Sequence, residues 1–270
     1  MSISRSLKRG LHFLAPPTYE WASYWYRYSI RHLPELRLER RIADQLGWTV
    51  AAGPFRGLRL PRSAAGFNLG FKLLGSYEVQ LHEAVEQVLG AAVRHAIVIG
   101  AAEGYYAAGF AMRSPRMTLT AFEILNAERR RLQDTIRLNG LSDRVTVRGF
   151  CTPAELTSAL QGSTSALVFC DCEGGEVELL DPQVIPKLRE CLMLVETHEV
   201  YVPGCIALLC RRFSATHTIE TIDQATDETR IAVATAAAPR LSSADIAEAV
   251  KEHRYGQVPQ QWLLMIPRAS

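Results

Sequence analysis

The sequence has no apolar run near the ~18–20 residues of a membrane span, which argues against a helical integral membrane protein. Cys170 and Cys172 have no second pair behind them at zinc spacing, so no structural zinc module is read from them. Basic and aromatic residues are not interleaved densely enough for a nucleic-acid-binding module, and no nucleic-acid partner is expected. There is no internal repeat, and low complexity is confined to the Ala-rich run 232–238. The start, with Arg5, Lys8 and Arg9 before an apolar patch broken by Pro16 and Pro17, is a poor secretory signal. These absences leave a soluble, cytoplasmic protein as the expectation. Its cysteines, at 151, 170, 172, 191, 205 and 210, are then reduced thiols of a large domain.

What is present points to an α/β protein. A chain of 270 residues with 48% hydrophobic content can bury one large domain and still carry an extension. Charge divides it. Residues 1–62 hold 11 Lys and Arg against 4 Asp and Glu, whereas the overall charge is only +2. We therefore expect a basic, aromatic-rich helical extension over 1–62 and a main domain over 63–270. Within the extension, Trp21, Tyr24, Trp25 and Tyr28 follow the i, i+3, i+4, i+7 spacing of one helix face. That face either docks on the main domain or lines a substrate pocket.

The stretch from Ala96 to Ala107 reads as a buried strand, a turn containing Gly100 and Gly104, and a helix N-terminus. Gly100 suits a conformation that a side chain resists, and Gly104 suits close approach of a cofactor to the main chain. A pyrophosphate is disfavoured here. The second glycine of Gly-x-Gly-x-x-Gly is missing, and Glu103 would repel an anion at the helix N-terminus. A ligand with a cationic end, such as S-adenosylmethionine, fits Glu103 better.

From there strands and helices alternate: strands at Ala96–Ile99, Met117–Phe122, Arg144–Val147, Ala166–Cys170 and Leu192–Val195, with helices between them. Such βαβ units build a parallel sheet that binds ligands at the carboxyl ends of its strands. Glu123 closes the second strand 19 residues after Gly104, near the ~20-residue offset at which an acid accepts hydrogen bonds from ribose hydroxyls. Phe150 and Cys151 follow the third strand and either flank an adenine ring or pack in the core. Before the first strand, Ser76 is read as a helix cap, while Tyr77 and Glu78 are candidate cofactor contacts. Asp171, Glu173 and Glu176 follow the fourth strand; Glu196, His198 and Glu199 follow the fifth. Neighbouring strand ends bring Asp171, Glu173, Glu196 and His198 to one cleft. A final helix and strand, with a loop before them, suit a seven-stranded sheet whose last strand is antiparallel.

With these residues in view, positions 70–222 resemble the FkbM family of S-adenosylmethionine-dependent methyltransferases. The resemblance lies in KLLGSYE (72–78), IGAAEGYYA (99–107), AFE (121–123), DCEGGE (171–176) and VETHE (195–199). It implies the Rossmann-like class I methyltransferase fold and methyl transfer to a hydroxyl of a sugar, lipid or secondary metabolite. It also implies that Gly100, Glu103 and Gly104 hold the methionine part, Glu123 the ribose, and Asp171 and Glu173 the cleft near the methyl group; Ala101 and Tyr105 are further candidate cofactor contacts. For the chemistry, His198 is the candidate base, oriented by Glu196 or Glu173. The alternative is a divalent cation such as Mg²⁺ held by Asp171, Glu173, Glu196 and His198. Val98 stands where the family often has an acid or amide, which motivates a non-catalytic binding protein as a rival. A nicotinamide oxidoreductase is the other rival, motivated by the sheet and Glu123.

Overall fold

The computed structural model describes residues 33–65, 68–251 and 261–268. The aromatic face of Trp21, Tyr24, Trp25 and Tyr28 lies outside the described residues. Seven strands form one sheet in the order β3-β2-β1-β4-β5-β7-β6. They are β1 (His95–Ile99), β2 (Thr118–Phe122), β3 (Val145–Arg148), β4 (Ala166–Cys170), β5 (Leu192–Thr197), β6 (His217–Ile222) and β7 (Gln261–Pro267). The first five run parallel, and β7 inserts antiparallel between β5 and β6.

Strand period explains the two-sided core. Val98 of β1 packs with Ala121, Phe169 and Leu194 on one face, while Ile97 and Ile99 pack with Val168, Met193 and Val195 on the other. Helices cover both faces: α1 (Leu33–Gln45), α2 (Leu69–Leu73), α3 (His82–Gly90), α4 (Tyr105–Arg113), α5 (Asn126–Leu138), α6 (Pro153–Leu160), α7 (Glu176–Leu179) and α8 (Cys205–Phe213). Two more, α9 (Asp227–Ala237) and α10 (Ser243–Ala249), pack with α1 and α2 around Ile42, Phe71, Leu74, Ala234 and Ile246. Ala43, Val50, Phe55, Leu58 and Leu60 belong to the same core cluster as β1, so this part of the extension is built into the sheet's covering layer.

Local signals set several boundaries. Thr152 accepts from the Glu155 N–H at 3.1 Å with Pro153 in the first turn, capping α6. Gly140, at φ +66°, ends α5. Ser76 does not cap α3, whose N-cap is Leu81; its hydroxyl faces the Phe71 carbonyl at 3.4 Å. The segment expected as a loop before the last helix contains α9, capped by Thr226. Among the described residues, no helix is long and apolar enough to cross a membrane.

Candidate functional site

The strand order reverses between β1 and β4, so the carboxyl ends of these two strands open a crevice where neither connection covers them. Gly100 follows β1 and Asp171 follows β4. A Cβ on Gly100 would lie 1.6 Å from the Asp171 carbonyl oxygen, and φ is +79°, so glycine is needed here on two grounds. The glycine turn and the acidic loop after β4 are thereby locked together. Gly104 has a different reason for being glycine. Its φ is +98°, and a Cβ would meet Leu132 Cδ1 of α5 at 2.7 Å, so the close approach is to a helix of the chain itself. This corrects the expectation that Gly104 clears space for a cofactor.

Four of the turn's donors are spent internally. Gly100 and Ala101 N–H both donate to the Phe122 carbonyl at 3.0 Å, Gly104 N–H to Ala101, and Ala102 N–H to Glu123 Oε2 at 2.8 Å. Glu123, at the end of β2, also accepts from Leu125 N–H at 2.8 Å through its other oxygen. Each oxygen thus holds one backbone donor and keeps a lone pair for a ligand hydroxyl. Burial raises the Glu123 pKa, against the lowering effect of those two N–H groups.

Glu103 is not the open acid that its place in the turn suggests. It is 1% exposed and pairs with Lys72 Nζ at 2.5 Å. Lys72 in turn sits 4.7 Å from the Tyr77 ring centroid. The cation meeting Glu103 therefore comes from α2 rather than from a ligand, contrary to the expectation from its place in the turn. Glu78 adopts φ +45° and accepts from the Tyr106 hydroxyl. Tyr77 and Tyr105 pack edge to face at 5.5 Å. Burial, then the charges of Glu78, Asp171, Glu196 and Glu103, push the Tyr77 phenol well above its ordinary pKa; Tyr77 thus stands electrostatically between the glycine turn and the acidic cluster. Phe150 is exposed at 64%, whereas Cys151 is packed in the second core cluster and its thiol is pushed up to about 12 by burial. Cys151 is a core residue. Val98 is fully buried among apolar neighbours, where an acid or amide would need a polar partner.

The ends of β4 and β5 meet as the parallel pairing requires. His198, 0% exposed, directs Nε2 toward Glu196 Oε2 at 3.5 Å, Asp171 Oδ1 at 3.6 Å and Glu173 Oε2 at 3.8 Å. None of these is a hydrogen bond, and Nε2 has no hydrogen-bond partner. The ring is oriented from its other side. Nδ1–H donates to Glu176 Oε1 at 2.6 Å, and Glu176 is itself 0% exposed at the start of α7. The orienting acid is therefore Glu176, not Glu196 or Glu173. Burial alone would lower the His198 pKa, but the hydrogen bond and charge of Glu176, with Asp171 and Glu173, raise it instead. At Glu176 burial is the largest single influence and raises the pKa, but the His198 hydrogen bond and charge, with backbone N–H donors, together lower it.

Tyr201 stacks on the His198 ring, with centroids 5.8 Å apart at 24°. Glu173 is the outermost member of the cluster, its side chain 71% exposed and its φ +55°. Glu199 turns away to accept from Gly204 and Ile206 N–H at the start of α8. Sequence reasoning brought Asp171, Glu173, Glu196 and His198 to one cleft and missed Lys72 and Glu176. Both lay in quoted motifs, but neither carries a local signal of its partner.

No protein-family model matches the chain, and no curated protein matches it in sequence. Solved structures do resemble it. A candidate O-methyltransferase from Klebsiella pneumoniae is 14% identical, covers 90% of this chain and 95% of its own, and superposes with a TM-score of 0.45. The METTL16 methyltransferase domain, in a form lacking its N-terminal segment, is 12% identical over 84% of this chain and 92% of its own, at 0.46. A candidate precorrin-6Y C5,15-methyltransferase domain from Corynebacterium diphtheriae is 13% identical over 72% and 97%, at 0.43.

Proposed function

We propose that this chain is an S-adenosylmethionine-dependent methyltransferase of the FkbM kind, acting on a hydroxyl of a small-molecule acceptor such as a sugar, lipid or secondary metabolite. The observation that carries the reading is Glu123. Its carboxylate is fixed by Ala102 and Leu125 N–H beside the glycine turn, with one free lone pair on each oxygen for the two hydroxyls of an unphosphorylated ribose. The missing second glycine of Gly-x-Gly-x-x-Gly weighs against a pyrophosphate, and so against the nicotinamide rival.

The residues present fit the cofactor's nucleoside end: an acid for the ribose, and exposed Phe150 for the adenine face, two residues past Arg148, whose carbonyl accepts from Glu123 N–H at 3.2 Å. When bound, S-adenosylmethionine supplies a methyl group already activated by sulfonium. The protein's share is then placement and exclusion of water. Asp171, tied by its N–H to the Ile99 carbonyl at 2.9 Å, fixes the floor of the crevice next to the turn. The acceptor hydroxyl would enter over Glu173 and Tyr201, toward the buried ring of His198. Because Nδ1–H is engaged by Glu176, Nε2 is the ring atom that faces the cleft and would take the hydroxyl proton.

The test is a melting curve of the full chain with S-adenosylmethionine, S-adenosylhomocysteine, NAD or no ligand. A ligand at ~100 times its dissociation constant stabilises by about 2.7 kcal/mol. The reading requires a shift with both sulfur ligands that Glu123→Ala removes. A shift with NAD alone would replace it with the oxidoreductase reading.

A further inference from the structure

Asp171, Glu196 and His198 each offer one ligand atom, and the three atoms lie within 4.8 Å of one another. Acidic groups at strand ends often meet without binding anything, but the histidine makes this group different. His198 is fully buried, its Nε2 has no hydrogen-bond partner, and that atom points between the two carboxylates at 3.5 and 3.6 Å. Two ligands each about 2.1 Å from one ion, at roughly 110° to each other, stand about 3.4 Å apart. The two histidine-to-carboxylate spacings are therefore those of donors sharing an ion, and they are too long for hydrogen bonding.

The opposite side of the ring carries the second signature. A metal-bound imidazole commonly donates its remaining N–H to a carboxylate, which fixes the tautomer and leaves the other nitrogen's lone pair free for the ion. Glu176 does this at 2.6 Å, from a position 0% exposed that is itself held by the Gly174 N–H at 3.3 Å. The loop supplying Asp171 is locked against Gly100, so the first ligand is also fixed by packing. Access remains: the Asp171 side chain is 28% exposed and that of Glu173 is 71% exposed.

We propose that Asp171 Oδ1, Glu196 Oε2 and His198 Nε2 form a site for one divalent transition-metal ion, with Glu176 as the residue that positions the histidine. One imidazole with two carboxylates favours Mn²⁺ or Zn²⁺ over Mg²⁺, which prefers all-oxygen octahedral surroundings. Three protein ligands leave coordination positions open toward the exposed Glu173 side. An acceptor hydroxyl oxygen could fill one; that use, unlike the site itself, rests on the methyl-transfer reading.

The experiment is a titration of the full chain, stripped with chelator, with Mn²⁺ and separately with Zn²⁺, in the absence of any cofactor. Mn²⁺ binding is read by loss of the free-ion electron paramagnetic resonance signal, and Zn²⁺ binding by calorimetry. We expect one ion per chain, affinity falling about tenfold or more in Asp171→Asn, and a loss of about 10–100-fold in Glu176→Gln. Asp171 is partly exposed, so its variant is expected to fold, and circular dichroism checks that each variant has done so. Failure of both ions to bind, or equal binding by the wild type and Asp171→Asn, would overturn the site. Because no cofactor is present, such a failure leaves the methyl-transfer reading to its own test through Glu123.

Discussion

Replacing Lys72 by methionine tests the meaning of the buried pair with Glu103. The two side chains are 7% and 2% exposed, and Nζ lies 2.5 Å from Oε1, so solvent screens them little. Removing one partner of such a pair leaves an uncompensated buried charge and costs about 3–5 kcal/mol. Loss of the ammonium over the Tyr77 ring acts in the same direction. For a chain of this size, with about 2–4 °C per kcal/mol, the melting temperature should fall by roughly 6–20 °C. Lys72→Met combined with Glu103→Leu removes both charges. It should recover more than about 2 kcal/mol relative to the sum of the single changes, since coupled buried partners are not additive. Urea unfolding of the wild type, both singles and the double closes the cycle. A single-variant cost below about 1 kcal/mol, or strict additivity, would refute the ion-pair account. It would return Glu103 to the role of ligand-binding acid.

Gly100→Ala should lower stability by several kcal/mol or abolish soluble folding, because its Cβ would land 1.6 Å from a backbone oxygen. Gly162→Ala, at φ +75° with nothing within 4 Å, should cost only about 1 kcal/mol by the same melting assay. Thr152→Ala should cost about 1 kcal/mol through the lost cap of α6 and leave ligand binding unchanged. Burial lowers the pKa of His217, whose ring bonds the Cys191 carbonyl at 2.9 Å and faces the Thr216 hydroxyl at 2.8 Å. Its unfolded form takes up a proton first as pH falls. Its contribution is therefore complete above about 6.5 and is lost as pH drops toward the lower folded value, with a slope of at most about 1.4 kcal/mol per pH unit. In His217→Gln this component of the stability–pH curve should vanish; an unchanged slope between pH 7 and 5 would contradict it.

Residues close in sequence were read well because their signals are local. The apolar run before Gly100 and the Thr152–Pro153 start of α6 need only neighbouring residues to act. α9 was missed although Thr226, Asp227 and Glu228 form a legible start, because its Ala-rich body has only a weak apolar stripe. Cys151 was left open between core and cleft, since a single residue after a strand has no period to place it.

By itself the sequence determined the βαβ order, the glycine turn and the presence of acids at the ends of β2, β4 and β5, because strand period and turn chemistry are short-range properties. Only the tertiary structure decided which charge meets which. Lys72 reaches Glu103 across 31 residues and Glu176 reaches His198 across 22, through packing of α2 and α7 against the sheet. A charge in a sequence has no intrinsic partner. In the folded chain, burial makes a missing partner costly, and so Glu103 is neutralised by the protein itself while His198 keeps one nitrogen free for something else.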